Sequence, residues 1–306
     1  MKNPFHADEI LAQDMAGFDV EAHGIREAMP EQHRLFFAAL PYLFISTLDE
    51  NGWPVATLLT GPAGFIRTPD ESHLRINAPR RADDPALAAL EPGKQIGGLG
   101  IDFSNRRRNR VNGRIGRIDK NRIEIVVDQS FGNCPQYIQI RELTDVPVSL
   151  PLPAREDMTE PDADARALIA RSDTFFIASH AHGGADVSHR GGRPGFAHLV
   201  GNRLWVPDFR GNRYMNTLGN LLAEPRAALL FIDFDNGDIL HLQGHTQIHW
   251  QPEEFPGPEG AERYWSLDIT RAWRFRAALP WRAASADFSP ATLKTGNWSG
   301  DQLPIS

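Results

Sequence analysis

From Tyr42 onward the chain is a series of short apolar runs broken by Gly, Asn and Asp: L-F-I-S-T-L, W-P-V-A-T-L-L-T, G-F-I-R and L-R-I-N. Runs of this length between turn formers predict antiparallel strands, with Asp49-Glu50-Asn51-Gly52 as a hairpin turn. Residues 1–40 read differently. Ile10, Leu11 and Met15 fall at helical spacing, and P-E-Q-H-R-L-F-F from Pro30 suits a helix opened by proline and closed before Pro41. A short helix over Ala86–Leu90 follows, then strands near 95–103, 108–118 and 121–128.

The same order then recurs. Gly64-Phe65 returns as Gly195-Phe196, Ile101-Asp102-Phe103 as Ile232-Asp233-Phe234, and Gly113-Arg114 as Gly244-His245, each 131 residues later. Phe44-Ile45 returns as Phe176-Ile177 at 132, and Leu74-Arg75-Ile76 as Leu204-Trp205-Val206 at 130. So constant an offset predicts a tandem duplication of one β-rich domain. The expected organisation is a helical extension over 1–40, a first copy over 41–149, and a proline-rich acidic linker over 150–162. A second copy over 163–255, opened by a helix from Ala163 to Arg171, precedes a C-terminal segment over 256–306.

The most suggestive stretch runs from Leu204 to Glu224. A strand ends at Leu204-Trp205-Val206, a helix ends at Pro225, and Asp208-Phe209-Arg210-Gly211-Asn212-Arg213 links them. Unpaired N–H groups at a helix start attract anions, Gly211 allows close backbone approach, and arginines grip phosphate oxygens. The residues alone leave two readings, a phosphate cradle or an ordinary strand–loop–helix with solvated arginines. The first copy serves as a control. Its matching stretch is A-P-R-R-A-D-D-P, in which Asp83 or Asp84 suits an N-cap and Pro85 removes a donor, so any cradle belongs to the second copy.

Charge and composition narrow the classes. A net charge of −7 argues against general nucleic-acid binding, and 41% hydrophobic with 23% charged residues is the balance of a soluble globular protein. The longest uninterrupted apolar runs, such as Ala227 to Ile232, are far below the ~20 residues that cross a bilayer, and the first ten residues lack a signal-peptide core. One cysteine, Cys134, forbids an intrachain disulfide and fits a reducing cytoplasm. His241, His245 and His249 alternate along one strand, which suits a polar barrel face or dimer seam better than one metal. His180 and His182 form a pair in a glycine-rich turn without a third ligand at recognisable spacing. Arg106, Arg108, Arg110 and Arg114 share a strand face, as a solvated stripe or as part of a seam that attracts an anion. Trp265, Trp273 and Trp281, eight residues apart, suit packing. Serine-hydrolase, zincin, Rossmann and P-loop motifs are absent from the sequence.

The segments A-D-V-S-H-R-G-G-R-P-G-F (185–196) and L-W-V-P-D-F-R-G-N-R-Y-M-N-T-L-G-N-L-L-A-E resemble the FMN-binding split-barrel family typified by pyridoxamine 5′-phosphate oxidase. More closely, they resemble its bacterial oxidase-related branch. F-H-A-D-E at the start and D-Q-S-F-G-N-C-P-Q-Y-I-Q (128–139) resemble a leading domain found ahead of that half, so the likeness spans roughly 5–250. The resemblance implies a mainly β fold of two tandem six-stranded antiparallel split barrels, a homodimer, and FMN at the seam between barrels. It places Asp186, Ser188, His189 and Arg190 on the strand and turn facing the flavin, and Pro207 and Asp208 beside the isoalloxazine. Arg210, Asn212 and Arg213 fall in the phosphate loop, with Thr217 and Asn220 on the helix behind it. His189 stands where the family most often has proline, and Phe209 where proline is frequent. The oxidase's own substrate-binding pattern is absent. The expectation is therefore an FMN-dependent oxidoreductase for a small-molecule substrate or electron donor such as NAD(P)H, with no catalytic residue named. The alternatives are a non-catalytic flavin-binding or sensing module and a cofactor-free structural barrel pair.

Overall fold

A computed structural model describes residues 3–22, 24–147, 152–251, 257–283 and 285–298. Two helices open the chain, α1 (Ala7–Met15) and α2 (Glu31–Ala39). The first sheet comprises β1 (Tyr42–Leu48), β2 (Pro54–Thr60), β3 (Ile66–Asp70), β4 (His73–Ile76), β5 (Gln95–Asp102), β6 (Arg107–Ile118) and β7 (Ile123–Gly132), with α3 (Pro85–Ala88) between β4 and β5. A connecting stretch carries β8 (Thr144–Asp145) and β9 (Glu156–Met158). The second half comprises α4 (Ala163–Arg171), β10 (Thr174–Ala181), β11 (Gly184–Gly191), β12 (His198–Val200), β13 (Arg203–Phe209), α5 (Asn216–Ala223), β14 (Arg226–Ile232), β15 (Ile239–His249) and β16 (Ala261–Phe275). A final strand, β17 (Trp281–Arg282), pairs with β8.

Strand order is β2-β1-β5-β6-β7-β4-β3 in one sheet and β11-β10-β14-β15-β16-β13-β12 in the other, the same path twice. The fold is mainly β, two tandem antiparallel split barrels. The short rim strands β3 and β12 bring each path to seven strands rather than six. The repeated glycines have a shared structural cause. A Cβ at Gly113 would lie 2.0 Å from the Val126 carbonyl oxygen, and one at Gly244 would lie 2.1 Å from that of Asp268, each at a β-bulge.

Each barrel has its own core. Leu43, Ile45, Ile66 and Ile125 fill the first, while Phe175, Ile177, Leu204 and Trp265 fill the second. The opposite faces of β1 and β10 build a third cluster between the barrels, with Phe44, Leu99, Phe176, Val187 and Leu230. Both faces of these strands are buried, which is why their sequences are continuously apolar rather than alternating. Phe44 stacks on its own counterpart Phe176 at 3.6 Å, and the packing of β5 on β11 is mirrored by that of β14 on β2. A residue meeting its equivalent marks a two-fold axis. The seam that the resemblance assigns to a homodimer is therefore assembled inside one chain.

Some expectations shift. The second barrel does not end at 255, because β16 pairs with both β13 and β15 along Ala261–Phe275. The expected linker is not bare, since β9 adds to β16; residues 150 and 151 lie outside the described ones. Trp265, Trp273 and Trp281 are buried as packing residues. Among the described residues no helix is long and apolar enough to cross a membrane.

Candidate functional site

A cavity of ≈ 860 Å³, including its mouth, opens at the seam beside β11, β13 and the start of α5. The second barrel contributes Ser188, His189, Arg190, Pro207, Asp208, Asn212, Arg213 and Thr217, all named from sequence. Three other candidates lie outside it. Arg210 is exposed, and its carbonyl accepts from the Tyr137 hydroxyl at 3.0 Å. Asp186 sits behind the wall, 3.3 Å from Arg110 Nε and 3.1 Å from Ser188 Oγ. Asn220 turns away, donating to Ser179 Oγ at 3.0 Å and meeting His6 Nε2 at 3.1 Å. A Cβ at Gly211 would meet nothing within 4 Å, so no close protein contact requires that glycine.

The floor is the first turn of α5. Its N-cap, Met215, provides no side-chain cap, which leaves the opening N–H groups available to an anion. Arg213 (φ 62°) and Met215 (φ 58°) both take the left-handed conformation that L residues avoid, at a cost of roughly 1–2 kcal/mol each. Thr217 donates to Ser188 Oγ at 2.8 Å, and Arg213 lies 4.1 Å over the Phe18 ring. The expected N-terminal helix braces this turn. Glu9 accepts from Asn216 Nδ2 at 2.5 Å and from the His6 N–H at 3.0 Å, while burial raises its pKa.

The far wall comes from the first barrel. Arg108 and Arg110 point into the seam, whereas Arg106 binds the Ile138 carbonyl at 3.0 Å and Arg114 is exposed. Arg110 is fully engaged: it reaches Asn216 Oδ1 at 2.9 Å, the Val187 carbonyl at 3.2 Å, and Ser188 Oγ. Arg108 donates to the Cys134 carbonyl at 2.5 Å and to His189 Nδ1 at 3.2 Å. Since a guanidinium only donates, neutral His189 carries its proton on Nε2. Burial, then Arg108 and Arg190, hold the His189 pKa well below 6.5; burial and the neighbouring arginines bring Arg108 down to about 9. At pH 7 the histidine is neutral and the arginine charged.

Residues that sequence reasoning missed reach the cavity over long distances in the chain. Asn133, Gln136 and Tyr137 follow β7, Asn216 opens α5, and Glu262 and Arg263 lie on β16. Arg263 holds Asp208 at 2.5 Å, and Arg190 lies 3.9 Å from the same carboxylate. Burial, with Asp208 second, pushes the Tyr137 hydroxyl up to about 12. Five arginines therefore face two lining carboxylates, Asp208 and Glu262, in a chain of net charge −7. Of these five, Arg108 and Arg110 stood out in the sequence as part of a stripe, Arg190 and Arg213 through the motifs named above, and Arg263 carried no signal.

The equivalent place on the other side of the two-fold is filled. The shared strand register sets His241 opposite Arg110, Leu58 opposite His189, Leu59 opposite Arg190 and Ala86 opposite Thr217. Arg110 lies 5.4 Å over Phe131, whereas His241 stacks at 4.9 Å on Trp273, and burial drives its pKa to about 3. Val55, Ala86, Trp273 and Phe275 pack the space. His245 is exposed and His249 half-buried beside Trp205, so the three imidazoles point to different environments. Asp84 caps α3 through Ala86 N at 2.9 Å, while Arg80 is spent on the Leu87 carbonyl at 2.7 Å and Arg81 on Asp83 at 2.8 Å.

Fold and cavity together define a split-barrel protein with an electropositive site at its internal seam. Residues 161–275, the second barrel, match the family described as "Pyridoxamine 5'-phosphate oxidase", and that segment of the chain is similar to it. No curated protein matches the chain. Similar solved structures include HupZ of Group A Streptococcus (12% identity, 39% of this chain and 95% of that one, TM-score 0.29). A FAD-binding protein of Mesorhizobium loti has 10% identity over 39% of this chain and 96% of that one, TM-score 0.28. The heme storage protein HutZ of Vibrio cholerae has 10% identity over 38% and 95%, TM-score 0.29. At these scores the likenesses carry no argument about ligand or activity.

Proposed function

We propose that this chain is a flavoprotein that binds one FMN in the seam cavity and acts as an FMN-dependent oxidoreductase on a small-molecule substrate or donor such as NAD(P)H. The observation that carries the reading is the uncapped start of α5, set at the floor of a cavity with an excess of arginines. The first-turn amides, Arg213 and Thr217 receive the phosphate. Arg110 aligns this floor through Asn216 and Ser188, and Ser188, Pro207 and Asp208 line the space for the ring. Bound FMN supplies the hydride or electron chemistry; the protein binds it, orients it and tunes its surroundings. The first barrel is a duplicate that lost its own site to Trp273 and Phe275 and kept the role a second subunit has in the family. A homodimer, if it forms, is not needed to complete the site. The single cysteine suits a cytoplasmic setting.

The test is an absorption spectrum after FMN addition and desalting, followed by anaerobic NADPH titration. About one flavin per chain that bleaches is expected. Retained bands that neither NADPH nor other cellular reductants bleach would favour a non-catalytic flavin-binding module. A colourless protein would overturn the reading. Replacing Arg213 with Ala, together with Arg210, is expected to weaken FMN at least tenfold, since a charged hydrogen bond contributes about 1.5–3 kcal/mol. Replacing Arg80 and Arg81 is expected to change little, and equal losses would refute the choice of barrel.

A further inference from the structure

The proposed flavin occupies only part of the cavity chemistry, and the remainder points to a second ligand. Arg108 lies two residues along β6 from Arg110 on the same face, or about 7 Å away. Unlike Arg110, it has no carboxylate within ion-pair distance among the described residues. A guanidinium held against protein rather than water needs a counter-charge or a full set of acceptors. Arg108 has neither, because its Nε is buried without a partner. Two further buried donors without a partner, His189 Nε2 and Arg190 Nε, belong to residues that line the same cavity. His189 is 4% exposed and delivers its N–H from a neutral ring. This group lies at the Cys134 end of the cavity, whereas Arg110, through Asn216, belongs to the α5 end.

We propose that Arg108, His189 and Arg190 form an oxyanion subsite, separate from the α5 floor, which selects a reactant bearing a carboxylate. The proposal rests on the flavin reading for its reactant, but the subsite belongs to the chain and binds its ligand through charge. A carboxylate accepts from all three donors and neutralises Arg108 without a proton transfer. A neutral isostere of the same shape leaves the guanidinium uncompensated and is rejected.

Benzoate and benzamide provide the test, titrated calorimetrically into the FMN-loaded protein, with flavin difference spectra in parallel. Benzoate is expected to bind saturably and shift the flavin bands, and benzamide at least tenfold more weakly. Arg108→Gln, which keeps a donor for the Cys134 carbonyl, is expected to lose benzoate at least tenfold. Equal binding of the two probes, or no benzoate binding to protein that retains FMN, would overturn the subsite and leave the flavin reading standing. Protein that binds benzoate in preference to benzamide but retains no FMN would overturn the flavin reading alone. The rival role for Arg108 is as the FMN phosphate ligand. If Arg108→Gln abolishes the preference for FMN over riboflavin while Arg213→Ala does not, that role is correct and the subsite is not.

Discussion

Arg110→Met should damage stability and site together. Arg110 starts on the first barrel and ends on the second, bound to Asn216, Ser188 and the Val187 carbonyl, with Asp186 at 3.3 Å. Its side chain is 6% exposed and that of Asp186 5%, so neither charge is relieved by water. At that separation the Coulomb attraction is about 5 kcal/mol for an effective dielectric of ~20. Methionine fills much of the volume but leaves Asp186 buried with Asn112 (3.2 Å) and Ser188 (3.1 Å) as its remaining polar partners. Breaking a buried pair from one side costs about 3–5 kcal/mol, and that is the expected loss in urea unfolding at pH 7. Removing the abandoned charge should recover part of it, so Arg110→Met with Asp186→Asn is expected to be more stable than Arg110→Met alone by about 1–2 kcal/mol. A single-variant loss below about 1 kcal/mol, or strict additivity of the two changes, would refute the claim that this pair ties the barrels together.

Other perturbations test separate links. Burial raises the Asp84 pKa to about 6 from 3.8, so the folded state holds its proton more tightly than the unfolded chain. Stability from this group is present below pH 3.8 and falls as pH rises through about 6, by up to about 3 kcal/mol. Asp84→Asn keeps an N-cap acceptor and is expected to stabilise at pH 8 but not at pH 4; an equal effect at both would contradict the linkage. Gly113→Ala and Gly244→Ala are each expected to cost more than about 2 kcal/mol by thermal unfolding, with Gly211→Ala within about 0.5, because only the first two drive a Cβ into backbone. Glu9→Ala removes the brace on Asn216 and should weaken FMN by roughly fivefold, in line with about 1 kcal/mol for a lost hydrogen bond. Unchanged FMN affinity would detach α1 from the site.

The sequence by itself determined the local elements and the repeat. Helix α4 falls on Ala163–Arg171 as expected, capped by Asp162 at 2.9 Å, and β5 and β6 fall within a residue of their predicted bounds. These are short-range outcomes, set by apolar periodicity, caps and turn residues. The control of one copy by the other was legible for the same reason: Asp84 caps α3, while no side chain caps α5. Tertiary structure decided what those faces meet. Periodicity placed Arg108 and Arg110 on one face of β6, but only barrel pairing turned that face toward β11 and made it a cavity wall. The loop pattern gave Arg210 and Arg213 equal standing, yet the left-handed turn at Arg213 leaves one arginine at the cavity and the other in solvent. Asn133, Tyr137 and Arg263 carried no local signal, since they enter from β7 and β16 by chain paths that no spacing encodes. A side chain's face follows from its own neighbours in sequence; its partner follows from the packing of the whole molecule.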